Sequence, residues 1–217
     1  TIIMATTTAS FTLSSSDLLT NPLGLTTTGT QNTGLGQGAA KSNTTGAYNT
    51  AVGSNAGAAL TTGVENVLIG GVTGDALTDA DFNTAIGKQA LSSDTKGNRT
   101  TALGYFTLAT QNFTTSTDTY NVGVGWASGQ LITTGINNVL VGALVGDALT
   151  DADYNVAVGH NALSTDTLGS RNTALGYSAL NAQNFTTATD SYNVAVGYNA
   201  GGNISTGGHN TLIGSLT

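Results

Sequence analysis

Asn49-Thr50-Ala51-Val52-Gly53 is the stretch that decides the fold, because the same five-residue pattern returns through most of the chain. Each copy has Gly four residues after its first residue, which is Asn in all but one copy. The copies begin at Asn32, Asn49, Asn66, Asn83, Thr100, Asn121, Asn138, Asn155, Asn172, Asn193 and Asn210. They follow one another every 17 residues, or 21 residues after Thr100 and Asn172, so the units also repeat as a 72-residue block.

The 17-residue period predicts that each unit forms one coil of a parallel β-solenoid. In a pentad, positions two and four point to one face of a strand, and position three points to the other. A second apolar piece, such as Asn161-Ala162-Leu163, predicts a second strand before a polar turn. The unit is too short for a βαβ crossover and has no 3.6-residue period. We expect an all-β solenoid of about eleven coils over residues 32–217, after an N-terminal attachment segment at residues 1–31.

Stacking of the coils places the ten pentad asparagines above one another, where their amides can form a hydrogen-bonded ladder. Eleven coils at about 4.8 Å each give a rod of roughly 50 Å. Such a thin coil is expected to bury little apolar surface alone. The small residues at position three therefore favour packing of several copies, most simply as a homotrimer.

The composition is apolar enough to fold but very poor in charge, with 39% hydrophobic and 8% charged residues. The shortage of Glu, Lys and Arg argues against helix bundles. The net charge of −7 disfavours nucleic acid and anionic membranes as partners. No catalytic motif is recognised, and Glu65 is the sole glutamate. We therefore expect a protein that is not an enzyme.

Six aspartates offer a candidate calcium site in the two copies of the sequence GDALTDAD. These residues are Asp75, Asp79 and Asp81 in the first copy, and Asp147, Asp151 and Asp153 in the second. Carboxylate oxygens are the ligands that Ca²⁺ prefers. The favoured alternative is that these side chains cap turns through the backbone, with no cofactor.

Exposed aromatic residues are candidates for contacts with other molecules. Phe113 and Phe185 lie in the two longer units, where they either point outward or clasp an adjacent chain. Trp126 and Tyr198 follow the glycine of their pentads, and they could bind glycans or cover the edge of the solenoid. Aromatic residues also precede five pentads, and they predict either a sugar-binding stripe or a packed seam: Tyr48, Phe82, Tyr120, Tyr154 and Tyr192.

The run Asn–Thr/Val–Ala–Val/Ile/Leu–Gly resembles the head repeats of trimeric autotransporter adhesins, whose typical motif is N-S-V-A-I-G. The Asn of this chain takes the place of the family's Ser. The resemblance covers about residues 32–217, and it implies a left-handed parallel β-roll with three chains around one axis.

The segment Met4–Leu18 and the run YNVAVGYNAGG at residues 192–202 resemble structural proteins of marine tailed bacteriophages. In those proteins such repeats occur in virion fibres. The resemblance implies an extracellular tail or capsid fibre that attaches to other virion proteins through residues 1–31 and meets a host-surface glycan or protein. The alternatives are a bacterial surface trimeric adhesin or extracellular filament, and a threonine-rich ice-binding solenoid.

Overall fold

The computed structural model describes residues 28–217, which wind into a stack of coils with strands and turns and, in this range, no helix. The strands are β1 Thr33–Leu35, β2 Thr50–Val52, β3 Val67–Ile69, β4 Thr84–Ile86, β5 Gly97–Asn98, β6 Thr101–Leu103, β7 Thr117–Asp118, β8 Val122–Val124, β9 Val139–Val141, β10 Val156–Val158, β11 Gly169–Ser170, β12 Thr173–Leu175, β13 Thr189–Asp190, β14 Val194–Val196 and β15 Thr211–Ile213. The eleven three-residue strands form one parallel sheet in chain order, with one strand per coil. The predicted all-β solenoid of about eleven coils is confirmed.

Neighbouring strands of the main sheet pair in an unbroken register. Ala51 pairs with Leu68, and Leu68 pairs with Ala85. The register also holds across the first long coil, where Ala102 pairs with Gly123. The four extra residues are accommodated on another side of the coil, where β7 pairs with β5 and β13 pairs with β11.

The core lies inside the coil and is built by position three of each pentad together with leucines from the turns. These residues join one continuous apolar cluster, in which Leu60, Leu77 and Leu163 are fully buried. Eight position-three residues are also fully buried: Ala51, Leu68, Ala85, Ala102, Leu140, Ala157, Ala174 and Ala195. The expectation that the alanine row meets other chains is therefore wrong, because that row is the core of its own chain.

The second strand that we expected in every coil is found only in the two long coils and in the coils directly before them, as β5, β7, β11 and β13, and it does not form at the predicted apolar piece. Asn161-Ala162-Leu163 forms a turn, and both Asn161 and Leu163 adopt positive φ angles, of 58° and 54°. This left-handed conformation is uncommon for a leucine. It is tolerated here because the side chain of Leu163 enters the core.

The glycine that ends each pentad is required by close stacking of the coils. Gly125 has a φ of 132°, and a Cβ at this position would collide with the carbonyl oxygen of Gly142 in the next coil. The last residue of the pentad can therefore carry no side chain.

The predicted attachment segment, residues 1–31, falls outside the described residues except for its last four positions. There the backbone N–H groups of Thr28 and Gly29 already donate to the carbonyl of Thr44 in the following coil.

Candidate functional site

The pentad asparagines form a buried ladder in which each amide bonds to the backbone as well as to its neighbour. The Oδ1 atom of Asn49 accepts the backbone N–H of Asn66 at 2.9 Å and the Nδ2–H of Asn66 at 2.9 Å. The Nδ2 atom of Asn66 also donates to the carbonyl of Ala80 at 2.8 Å. The ladder thus connects adjacent coils and closes the corner of each coil, and it satisfies polar groups that are buried.

The same contact from Oδ1 to a backbone N–H recurs along the described coils. It joins Asn32 to Asn49, Asn66 to Asn83, Asn83 to Thr100, Asn121 to Asn138, Asn138 to Asn155, Asn155 to Asn172, Asn172 to Asn193, and Asn193 to Asn210, at 2.9–3.1 Å. The residue before each asparagine turns the corner with a positive φ, as Tyr154 does at 57°.

The ladder is interrupted where Thr100 replaces asparagine, and a second polar cluster fills the gap. The Nε2 atom of Gln111 donates to Oγ1 of Thr100 at 3.0 Å and to Oδ2 of Asp94 at 2.6 Å. Its Oε1 atom accepts Nδ2–H of Asn121 at 2.9 Å. The Oγ1 atom of Thr119 lies 2.8 Å from that of Thr100. All five side chains are fully buried, so Gln111 connects the coils where the ladder does not.

A related cluster occupies the second long coil, but there the ladder is intact. The Nε2 atom of Gln183 donates to Oδ2 of Asp166 at 2.5 Å, and its Oε1 accepts Nδ2–H of Asn193 at 2.7 Å. Asn172 takes the place of Thr100, and its Oδ1 accepts the hydroxyl of Ser191 at 2.7 Å and the N–H of Asn193 at 3.1 Å.

The clusters around Asp94 and Asp166 were not predicted from the sequence. Their signal was the equal spacing of 17 residues between Asp94 and Gln111 and between Asp166 and Gln183. Each carboxylate accepts backbone N–H groups; for Asp94 these come from Gly97 and from Phe113.

Phe113 and Phe185 lie under the long loops of their own chain, so the prediction that they contact another molecule is not what the structure shows. They are 7% and 8% exposed. The aromatic ring of Phe185 approaches Gly169 of the preceding coil so closely that a Cβ there would collide with it.

The outward face of the main sheet is continuous and mostly apolar. We use the name outward face for positions two and four of the eleven pentads, all of which are Thr, Val, Ile or Leu. Most are half-buried, and some, such as Val156 and Val158 at 37% and 38%, are exposed. The face carries no charged residue in any of the described coils.

Aromatic side chains follow both borders of the outward face in sequence. Trp126 and Tyr198 are 52% and 56% exposed, and Tyr198 stacks on Tyr177 with 5.3 Å between ring centroids. On the other border, the guanidinium of Arg171 lies 4.5 Å from the ring centroid of Tyr154 and 5.8 Å from that of Tyr192. These residues are accessible, and the stacking follows the coil repeat.

Arg99 and Arg171 also form ion pairs with the long coils that follow them. Their Nε atoms lie 3.1 Å from Oδ2 of Asp118 and 3.0 Å from Oδ2 of Asp190. The hydrogen bond to Asp190 raises the pKa of Arg171 above its usual value, while partial desolvation opposes the shift. These are exposed pairs, so their contribution to stability is small.

The six predicted calcium ligands do not converge. In residues 28–217, no three carboxylate or imidazole side chains come together as a metal site. Several of these aspartates have partners within the solenoid instead. Asp81 accepts the N–H of Val64, Asp153 that of Ile136, and Asp151 the hydroxyl of Thr134, while Asp79 pairs with Lys96.

Three of these carboxyls have a raised pKa, mainly because burial disfavours the charged form. For Asp75 and Asp147, a hydrogen bond to the residue's own backbone N–H partly offsets the effect. For Asp153 the main opposing contribution is the hydrogen bond from Ile136. The Oδ1 atoms of Asp75 and Asp147 are buried without a hydrogen-bond partner. Burial without a partner disfavours the ionised form of both carboxyl groups.

No protein-family model, curated protein or solved structure matches this chain. The described coils contain no helix that could cross a membrane.

Proposed function

We propose that this protein is a structural and adhesive fibre: a rigid rod that associates as a parallel homotrimer through its outward face. The observation that carries the proposal is the unbroken, uncharged face along all eleven in-register coils, in which position four is Val, Ile or Leu in every coil. A rod with one such face suits a role as a spacer that holds binding surfaces at a fixed distance and presents them in several copies.

The size of the outward face supports association. Eleven coils at about 4.8 Å give a length of roughly 50 Å, and two rows of side chains cover its width. An apolar patch beyond a few hundred Å² is unusual on a soluble monomer and marks an interaction surface. The best occupant is another copy of this chain, because the uncharged rows of two parallel copies can pack coil against coil without burying an ion.

Three copies around one axis would shield every outward face and leave the aromatic and charged borders near the seams. Exposed Tyr and Trp side chains there suit contacts with a host-surface glycan or protein. In the same proposal, the fibre belongs to a virion and is joined to other virion proteins through residues 1–31. The bacterial adhesin alternative uses the same fold and face and differs in where the fibre is anchored.

The ice-binding alternative is less well supported. Threonine occupies position two in six of the eleven pentads and valine in the other five, while position four has no threonine. A regular array of outward hydroxyls is therefore missing from this face. A thermal-hysteresis measurement tests the alternative directly, and we expect no activity.

Native mass spectrometry and negative-stain electron microscopy test the fibre. We expect three times the 21.6 kDa chain mass and rods of about 50 Å per solenoid. Val158→Lys places a charge on the outward face and should yield monomers, whereas Thr114→Lys, at an exposed loop position off this face, should leave the assembly intact. A wild-type monomer would overturn the trimer, and a compact particle would overturn the rod.

Antibodies against residues 32–217 test the virion setting. Labelling of fibres on intact phage particles is expected. Labelling of bacterial cell surfaces alone would favour the adhesin.

A further inference from the structure

The residue that follows the pentad glycine forms a column along one border of the outward face, and in three consecutive coils this column is a row of stacked rings. The ring centroids of His160 and Tyr177 are 5.6 Å apart with 6° between the ring planes. Those of Tyr177 and Tyr198 are 5.3 Å apart with 9° between the planes. Side chains in this column therefore lie parallel to one another, with one ring per coil.

One level of the column carries no ring, because Ala143 lies between Trp126 and His160. The three residues belong to consecutive coils in register. The carbonyl of Trp126 accepts the N–H of Leu144 at 2.9 Å, and that of Ala143 accepts the N–H of Asn161 at 3.1 Å. Trp126 and His160 are exposed, and Ala143 is half-buried. We use the name ring slot for the gap above Ala143 between the side chains of Trp126 and His160.

The width of the ring slot corresponds to a single inserted ring. Neighbouring coils are about 4.8 Å apart, so the positions of Trp126 and His160 are separated by roughly 10 Å. A ring held between two others needs about 3.5–4.0 Å between carbon atoms on each side, which is about 7–8 Å in all. Two inserted rings would need more than the slot provides.

We infer that the ring slot binds one neutral pyranose ring, which stacks its apolar C–H face on the indole of Trp126. A pyranose combines apolar faces with a rim of hydroxyl groups. The slot has the matching character, because its two walls are rings with nitrogen atoms at their edges. A puckered pyranose is also thicker than a flat aromatic ring and fills the roughly 10 Å width more fully. The net charge of −7 disfavours an acidic sugar or a nucleotide.

The other border of the outward face is less suited to a sugar, because cations already lie over several of its rings. The guanidinium of Arg171 lies 4.5 Å from the ring centroid of Tyr154 and 5.8 Å from that of Tyr192. The guanidinium of Arg99 lies 4.5 Å from the ring centroid of Phe82. A sugar that stacked on the covered faces would have to displace these cation–π contacts.

The inference deepens the glycan contact of the proposed function and rests on that function to this extent. It does not rest on the trimer or on the virion setting, because every wall of the ring slot belongs to one chain. In a parallel trimer the slot would occur three times at the same level of the rod, so that several weak sugar contacts could act together.

Fluorescence titration of the full-length protein tests the inference, because Trp126 is the sole tryptophan of the chain. The probes are the methyl pyranosides of glucose, galactose, mannose and N-acetylglucosamine. We expect at least one of them to change the tryptophan emission in a saturable way at millimolar concentration. Sorbitol, which has hydroxyl groups but no ring, should have no effect. N-acetyltyrosine amide serves as the flat aromatic probe.

Two tyrosine variants provide a matched pair. Ala143→Tyr fills the empty level with the residue type that Tyr177 already places in this column, and it should weaken pyranoside binding by about tenfold or more, because the stacking faces become covered. Ser54→Tyr adds the same side chain at an exposed position of the same column in a distant coil, and it should leave binding unchanged.

The outcomes separate the ring slot from the fibre. No response to any of the four pyranosides, an equal response to sorbitol, or binding that persists in Ala143→Tyr overturns the inference. Saturable binding of N-acetyltyrosine amide alone also overturns it, and would assign the slot to an aromatic side chain of a protein partner. Native mass spectrometry of the same samples shows which proposal fails: trimers that bind no sugar refute the ring slot alone, and monomers that bind sugar refute the trimer alone.

Discussion

The two long coils, residues 100–120 and 172–192, contain the same four-residue insertion but differ in the buried polar contacts that connect them to the next coil. They are identical at 14 of 21 positions, and each places its four extra residues beside a short strand of the preceding coil. Each buries an aspartate, a glutamine and a phenylalanine beneath the loop. They differ at the ladder position, where one has Thr100 and the other has Asn172.

This difference shows that the asparagine ladder and the Asp–Gln cluster are separate devices. In the second long coil both are present, and the N–H of Asn193 reaches Oδ1 of Asn172. In the first, the N–H of Asn121 meets Oγ1 of Thr119 at 3.3 Å instead. A coil can therefore lose one ladder bond if another buried polar group spans the gap.

The largest expected effect comes from removing the buried aspartate that contacts each long coil, which is Asp94 for the first and Asp166 for the second. Asp94→Ala and Asp166→Ala each leave backbone N–H groups buried without an acceptor, among them those of Phe113 and Phe185. We expect each to lower the free energy of unfolding by about 3 kcal/mol, the cost of more than one buried unpaired donor. Guanidinium denaturation followed by circular dichroism measures this loss.

The matched control is Asp118→Ala, which removes two exposed contacts, the ion pair with Arg99 and the hydrogen bond from the hydroxyl of Tyr120. Equal losses for Asp94→Ala and Asp118→Ala would show that the buried carboxylate does not organise the long coil.

Replacement of Gln111 and of Gln183 should lower the free energy of unfolding by different amounts. Gln111→Leu removes the side chain that contacts both Thr100 and Asn121 where the ladder is broken. Gln183→Leu leaves the ladder bond between Asn172 and Asn193 in place. We expect Gln111→Leu to cost about 1 kcal/mol more, the value of roughly one hydrogen bond. Paired denaturation curves measure the difference, and equal losses would contradict it.

The ladder bond itself is tested by Asn172→Ala. This change leaves the N–H of Asn193 without its acceptor, and the hydroxyl of Ser191 keeps only the carbonyl of Ser170 as an acceptor. A loss of about 1–2 kcal/mol is expected from the broken buried hydrogen bonds. Hydrogen exchange should show faster exchange at Asn193, and Asn181→Ala, a half-buried asparagine outside the ladder, should leave that amide protected.

The solenoid fold was predictable because the pentad pattern is repeated along the chain. Which side of each strand faces the core was not predictable in the same way. Asparagine and glycine at the ends of each pentad recur with the coil period, and this alone predicts parallel strands in register. Ala51 and Val52 are both apolar, however, so a single pentad does not reveal which face is inside. Leu68 and Leu140 at position three, opposite threonines at position two of other pentads, were the available clue.

The turns and the polar clusters could not be derived from local sequence preferences. Leu163 belongs to a residue type that rarely adopts positive φ, and the conformation comes from the repeated turn, since Leu91, Leu108 and Leu180 adopt it at the same position of other coils. From the sequence alone, Asp94 cannot be distinguished from an ordinary polar residue of a turn. Its carboxylate is buried because the long coil, 17 residues later, supplies Gln111 and the N–H of Phe113.

The smallest expected effect concerns Asp75 and Asp147, which occupy the same position in the two blocks and should behave alike. Burial raises the folded-state pKa of each above its ordinary value of 3.8, so the folded protein binds protons more tightly than the unfolded chain. The contribution of these two carboxyls to stability should therefore be greatest below pH 3.8, and it should be lost as the pH rises through the raised pKa. The double variant Asp75→Ala/Asp147→Ala should flatten this fall, since Ala58 already occupies the equivalent position in another coil. Melting temperatures between pH 3 and 7 measure the slope. As a control, Gln130→Ala changes the equivalent position of a coil without this carboxyl, and it should leave the slope unchanged. A steeper fall in the double variant would contradict the burial of these two carboxyls as the cause of the pH dependence.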